Sequence, residues 1–174
     1  VGLMLAFFAT ILNFSMFAVA APQIRIEYSL AADTTSWLSI IFTIPYILLM
    51  PFYGRLGDLL GKRRILLAGS LVYIVGSAVC FVAGGFVALI VGRIVQGIGA
   101  AAVNPLCLSI ISERVSAERR GKAIGTWSTS GPFTGMFGPI LGGALVESFG
   151  WRSIFAPTVL MTFLSLFFIL RLVP

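Results

Sequence analysis

Long apolar runs fill the chain, and short polar intervals separate them. Read as single units, the runs give six mostly apolar stretches, at roughly 3–22, 37–54, 65–84, 86–112, 121–146 and 152–172. About 20 helical residues cross the hydrocarbon of a bilayer. Each stretch therefore predicts one membrane-crossing helix. The intervals 23–36, Gly84-Gly85 and Ser148-Phe149-Gly150 then lie on one side, and 54–64 and 112–122 on the other. Thr34-Thr35-Ser36 ahead of Trp37 predicts a helix N-cap followed by an interfacial aromatic anchor. Glu113, Arg114, Glu118, Arg119 and Arg120 alternate in sign and predict a short amphipathic turn.

Composition agrees with the pattern. Hydrophobic residues make up 59% of the 174, and the mean hydropathy is +1.05. A soluble domain of this size would expose too much apolar surface. The first run has no basic start, and no soluble domain follows it, which argues against a signal peptide. Val1 already lies inside an apolar run, and no initiator Met precedes it, so a fragment of a longer product is expected.

The formal charge of +6 raises nucleic acid as a partner. Its distribution argues against that. Arg55, Lys62, Arg63, Arg64, Arg114, Arg119, Arg120, Lys122 and Arg171 fall on one side, and only Arg25 and Arg152 on the other. That asymmetry fits the positive-inside rule. It predicts an integral, multi-pass protein of the cell (inner) membrane with both termini cytoplasmic. Membrane lipid is then a partner and nucleic acid is not.

Catalytic chemistry finds little to work with. The chain has no histidine, and Cys80 and Cys107 sit in apolar runs without metal-ligand spacing. They read as small packing residues. No nucleophile–base pair and no metal site is expected, so the chain does not read as an enzyme.

Three polar or glycine-rich features stand out. Arg93 lies about 10 Å into its helix, counting from residue 86. A charge there costs several kcal/mol unless it meets a polar cavity or a partner. Gln96, Ala100, Asn104 and Cys107 follow it at spacings of three and four, on one helical face. The expected result is a polar stripe lining a water-filled path. The second feature is the charged, glycine-rich interval Gly54-Arg55-Leu56-Gly57-Asp58-Leu59-Leu60-Gly61-Lys62-Arg63-Arg64, expected as a tight surface loop. The third is the fifth stretch. Gly121/Gly125, Gly131/Gly135 and Gly138/Gly142 are spaced for close helix contact, with Gly143, Pro132 and Pro139 beside them. A packed pivot between two halves of a moving protein is expected there.

These motifs resemble those of one family. The interval 54–66 resembles the loop signature between helices 2 and 3 of the major facilitator superfamily. Leu89-Ile90-Val91-Gly92-Arg93-Ile94-Val95-Gln96-Gly97-Ile98-Gly99 resembles its helix-4 motif. Gly138-Pro139-Ile140-Leu141-Gly142-Gly143 is similar to the helix-5 signature of its antiporters, and Gly150-Trp151-Arg152 to the opening of helix 6. Leu12-Asn13-Phe14-Ser15 through Ala20-Ala21-Pro22 resembles helix 1 of the fourteen-helix drug:proton antiporters. Asn13 stands where that motif carries an aspartate, and Thr134 where the helix-5 motif has a glycine.

The resemblance implies an all-α, six-helix transmembrane bundle, the N-terminal half of a secondary transporter, with residues 1–174 as one unit and the second half outside the chain. It implies export of amphipathic, drug-like molecules in exchange for protons by alternating access, with the proton gradient as energy source and no cofactor. Asn13, Arg93, Gln96 and Asn104 would belong to the substrate and proton pathway. Gly54, Arg55, Gly57, Asp58, Gly61, Lys62 and Arg63 would form a conformational latch. A small-molecule substrate and either the C-terminal half or a second copy are the implied partners. Asn13 cannot titrate, and Asp58, Glu113 and Glu147 lie at helix ends. A proton carrier would then be an end-of-helix acid or a group in the other half. Two other readings stay open: a transporter of one specific metabolite, and a non-transporting membrane scaffold or sensor built on a half-transporter.

Overall fold

The computed structural model describes residues 2–172, and among them no strand occurs. The elements are α1 (Gly2–Glu27), α2 (Ala32–Leu60), α3 (Lys62–Phe81), α4 (Phe86–Ala100), α5 (Val103–Arg114), α6 (Ala117–Phe149), a 3₁₀ turn (Trp151–Ile154) and α7 (Phe155–Leu172). They make an all-α bundle of six crossings, with α4 and α5 sharing one. Gly2–Glu27, Ser36–Leu60, Lys62–Phe81, Phe86–Arg114 and Trp151–Arg171 are long and apolar enough to span a membrane. The remaining crossing, α6, fifth in chain order, has the length but dilutes its apolar residues with glycine, serine and threonine.

The helices run past the expected boundaries, and the polar intervals shrink to match. α2 has 29 residues, or about 43 Å, against a hydrocarbon thickness of about 30 Å. Charged residues can therefore project into water while remaining helical. The expected loop at 54–64 reduces to Gly61, whose φ of 97° reverses the chain and whose N–H bonds Gly57 O at 3.0 Å. Only the left-handed region allows that reversal, and glycine enters it without Cβ strain. The interval 23–36 likewise contracts to 28–31, because α1 continues through Pro22. The N-cap expected at Thr34-Thr35-Ser36 does not form. α2 already begins at Ala32, and Ala31 caps it without a side-chain bond. The turn expected at 112–122 contracts to Val115 and Ser116.

The single helix expected over 86–112 breaks at Ala101 and Ala102. Pro105 has no N–H to offer the Ala101 carbonyl, and Ala102 N instead bonds Gly99 O, a 3₁₀-type contact of 3.3 Å.

Packing is tightest between α3 and α4. A Cβ at Gly99 would stand 2.2 Å from Tyr73 N, and one at Gly76 would stand 2.4 Å from Gln96 N. The two backbones touch because neither residue carries a side chain. α6 packs on α1 through Gly138, where a Cβ would come within 2.3 Å of Ser15, and through Gly142, 3.1 Å from Met16 Cα. Gly131 meets Ile11 more loosely, at 3.2 Å. Pro139 deprives the Gly135 carbonyl of its helical donor, and Ser15 Oγ donates to that carbonyl at 2.8 Å. The expected close contacts at Gly121, Gly125 and Gly135 are absent. Nothing lies within 4 Å of a Cβ built at Gly121 or Gly125, and one at Gly135 reaches only Ile11, at 3.9 Å.

Two apolar cores form. One, toward the 28–31 end, includes Met16, Phe17, Ile24, Leu38, Leu89, Trp151 and Phe155. The other, toward the Gly61 end, includes Phe7, Leu66, Leu106, Ile110, Trp127 and Ile169. A polar layer separates them.

Candidate functional site

Arg93 is the centre of that layer and is fully buried. Its Nη1 donates to Gln96 Oε1 at 2.7 Å, one helical turn along α4, and to Asn13 Oδ1 of α1 at 3.1 Å. Gln96 Nε2 donates to Ser77 Oγ of α3 at 2.8 Å. Ser77 in turn donates to the Tyr73 carbonyl at 2.9 Å. Asn13 Nδ2 faces Thr158 Oγ1 of α7 at 3.5 Å. Four elements thus meet at one guanidinium. Asn13, Ser77, Gln96 and Thr158 are as buried as Arg93.

Aromatic rings cover the cation. Arg93 Cζ lies 4.0 Å from the ring centre of Phe17 and 4.4 Å from that of Phe42. The negative face of an aromatic ring attracts a cation, more strongly once water is excluded. No ion pair reaches Arg93 among the described residues. Its Nε and Nη2 have no hydrogen-bond partner there either.

Phe42 is shared with a second feature. It stacks on Tyr46 at 5.9 Å between ring centres and lies 6.2 Å from Phe14. Together with Thr10, Ile11 and Ile47, these rings line a 230 Å³ pocket between α1 and α2.

The structure therefore brings Asn13, Arg93 and Gln96 together, but it does not bring Asn104 to them. The break at Ala101 and Ala102 ends the common face. Asn104 Oδ1 instead accepts from Trp127 Nε1 of α6 at 3.2 Å. The three grouped residues have no exposed surface, whereas an open path was expected to wet them. Ser77, Thr158, Phe17 and Phe42 were not anticipated, and no local spacing marks them.

At the Gly61 end, Lys62 Nζ pairs with Asp58 Oδ1 at 3.3 Å and with Glu113 Oε1 of α5. Arg63 Nη2 donates to the Leu170 carbonyl at 2.9 Å. Gly57 is buried, since a Cβ there would meet Leu106 Cδ2 at 2.3 Å, while Gly54 and Gly61 have open space. Arg55 is exposed. These residues border an open groove of 810 Å³. At the opposite end, Arg152 forms a bidentate pair with Glu27 at 2.7 and 3.1 Å. Arg152 also donates to the Ala83 carbonyl at 2.7 Å, and Trp151 Nε1 to Glu27 at 2.6 Å. α1, the 82–85 connection and the 3₁₀ turn are clamped together.

A family model described as Major Facilitator Superfamily matches residues 3–174. The chain belongs to the major facilitator superfamily. Arg93, in the run that resembles the family's helix-4 motif, is also the organising residue of the buried layer. Multidrug resistance protein 3 of Bacillus subtilis is 32% identical over 170 residues, 98% of this chain and 33% of that protein. The riboflavin transporter RibZ of Clostridioides difficile is 29% identical over 167 residues, 96% of this chain and 37% of that protein. The chain thus spans about a third of the length of such relatives. The crystal structure of the human organic anion transporter MFSD10 aligns with a TM-score of 0.80 at 20% identity, over 99% of this chain and 46% of that one. At that identity the likeness concerns the fold alone. Family membership points to a transporter.

Proposed function

We propose that this chain is the N-terminal six-helix half of a secondary active transporter that exports amphipathic small molecules in exchange for protons. The observation that carries the reading is the buried Arg93 layer joined through Phe42 to an aromatic pocket. A guanidinium held at mid-bilayer depth, with part of its hydrogen-bonding capacity unused, marks a functional site in a membrane protein. The similarity to a multidrug resistance protein supports the substrate class. The second half, or a second copy, would complete the site, and the two halves would rock about it. The lysine and arginine asymmetry supports cytoplasmic termini in a cell membrane. The proton carrier would be an acid at a helix end or in the other half. The full-length transporter in proteoliposomes should move an amphipathic dye against its gradient when a pH gradient is imposed. Flux that ignores the pH gradient would overturn the coupling. A second reading, transport of one metabolite, draws on the similarity to a riboflavin transporter. Saturation by one compound and indifference to a panel of dyes would favour it.

The Asp58–Lys62–Glu113 cluster would act as a latch against the other half. Asp58→Asn should then lower flux by about tenfold, equivalent to about 1.4 kcal/mol on the cycle. Stability should change by under about 1 kcal/mol, because Asp58 is exposed and Lys62 keeps Glu113 as a partner. Ligand titration alongside flux is the check. Affinity falling in step with flux would contradict the latch role.

A further inference from the structure

Arg93 poses an unsolved electrostatic problem. A fully buried cation is costly unless an opposite charge compensates it. Its partners here are two neutral amides, Asn13 and Gln96, and two aromatic rings. No carboxylate pairs with it among the described residues. Two of its nitrogens, Nε and Nη2, still have donors to give. The local complement of such a group is a planar or tetrahedral anion that accepts from both.

The pocket between α1 and α2 meets this cation at a single side chain. Phe42 is 3% exposed, lines the pocket and lies over the guanidinium. At 230 Å³ the pocket is below the size of a whole drug site. It can take one ring system between Phe14 and Tyr46. Thr43, which also lines it, already spends its hydroxyl proton on the Ser39 carbonyl at 2.8 Å. The pocket therefore offers apolar contact but little charge recognition of its own.

We propose that the pocket binds the aromatic part of an anionic amphiphile, and that the ligand's acid group reaches Arg93 when the Phe42 ring swings aside. Phe42 is the door between an apolar subsite and a buried cation. Closed, its π face shields the guanidinium. Open, the ligand's carboxylate or sulfonate takes the Nε and Nη2 donors. The inference rests on the transport reading above and narrows its substrate class.

The test uses the full-length transporter, with 2-naphthoate and its uncharged amide as paired probes. Equilibrium binding should favour the naphthoate by about tenfold, because its carboxylate pairs with the guanidinium charge while the amide only accepts a hydrogen bond. Arg93→Gln should erase the preference and leave the amide's affinity within about twofold of wild type. Arg93→Lys should keep part of it. In the unmodified protein, naphthoate should protect Arg93 from phenylglyoxal, read by peptide mass, and the amide should not. The unliganded protein should label slowly, each time the Phe42 ring opens, and Phe42→Ala should raise that rate. The readout in unmodified protein stands even if a variant fails to fold. Equal binding of both probes, or an Arg93 that no probe protects, would overturn the proposal. An Arg93 that labels no faster in Phe42→Ala than in the unmodified protein would overturn it too, pointing to an acid of the other half as the counter-ion. Dye flux under a pH gradient is scored separately. Normal flux with equal probe binding sinks the anion subsite alone. Absent flux with an Arg93-dependent preference sinks the transport reading alone.

Discussion

Arg93→Ala should cut flux by about a hundredfold while leaving the protein inserted and folded. The substitution removes two charge-assisted hydrogen bonds, to Asn13 and Gln96, and two cation–π contacts. Hydrogen bonds to charged groups contribute about 1.5–3 kcal/mol each, and about 2.7 kcal/mol on a barrier is two orders of magnitude. Folding should respond differently from flux. The variant loses those bonds and strands two amides, but it also relieves the desolvation of a buried charge. The two effects oppose each other, so the thermal midpoint should stay close to wild type. Flux in proteoliposomes and a thermal melt in detergent separate the outcomes. Near-normal flux would mean that the guanidinium only braces the helices. A melt far below wild type would mean the same.

The largest loss of stability should come from the α3–α4 seam. Alanine at Gly99 would put a Cβ 2.2 Å from Tyr73 N and 2.6 Å from the Gly69 carbonyl, and both are backbone atoms that cannot rotate away. Gly76→Ala meets Gln96 N at 2.4 Å and disturbs the layer that Gln96 serves. Overpacking typically costs about 1–3 kcal/mol, and here the helices themselves must part. Gly143→Ala is the control, because nothing lies within 4 Å of its added Cβ. It should stabilise by about 0.5–1 kcal/mol through helix propensity. Gly138→Leu and Gly142→Leu should fall between these, since Ser15 and Met16 can yield in part. Melting each variant of the full-length protein gives the ranking. A Gly99→Ala protein as stable as Gly143→Ala would show that the seam can open without cost.

Sequence carried the crossings and the cation well, because each signal is local. An arginine inside the apolar run 86–112 needs no partner to be noticed, and Gln96 follows it by one turn. Asn13 came into view only through a family resemblance. Phe17 of α1 and Phe42 of α2 cover Arg93, while Ser77 of α3 and Thr158 of α7 meet it only through Gln96 and Asn13, and no spacing within one helix encodes that meeting. The glycine reading missed at Gly121 and Gly125 for a related reason. Close contact needs a neighbouring helix over the glycine, and a spacing along α6 does not say where that helix lies. Gly138 and Gly142 face α1, whereas Gly121, Gly125 and Gly143 face open space. Gly76 and Gly99, which touch backbone, belong to runs where nothing but the facing helix distinguishes them. Asn104 was assigned to the wrong neighbourhood because the helix was assumed to continue through Ala101 and Ala102.

The unequal apolarity of the crossings bears on how the protein enters its membrane. Residues 117–149 have the length to cross but not the greasiness that sends a helix into lipid unaided. Their glycines and hydroxyls become tolerable only against α1, whose Ser15 satisfies the carbonyl that Pro139 leaves bare. α1 is made first and can partition by itself. Translation order therefore supplies the solvent that the later helix needs. The bilayer receives α6 as part of a protein surface already in place, and its affinity for the membrane is a property of the pair.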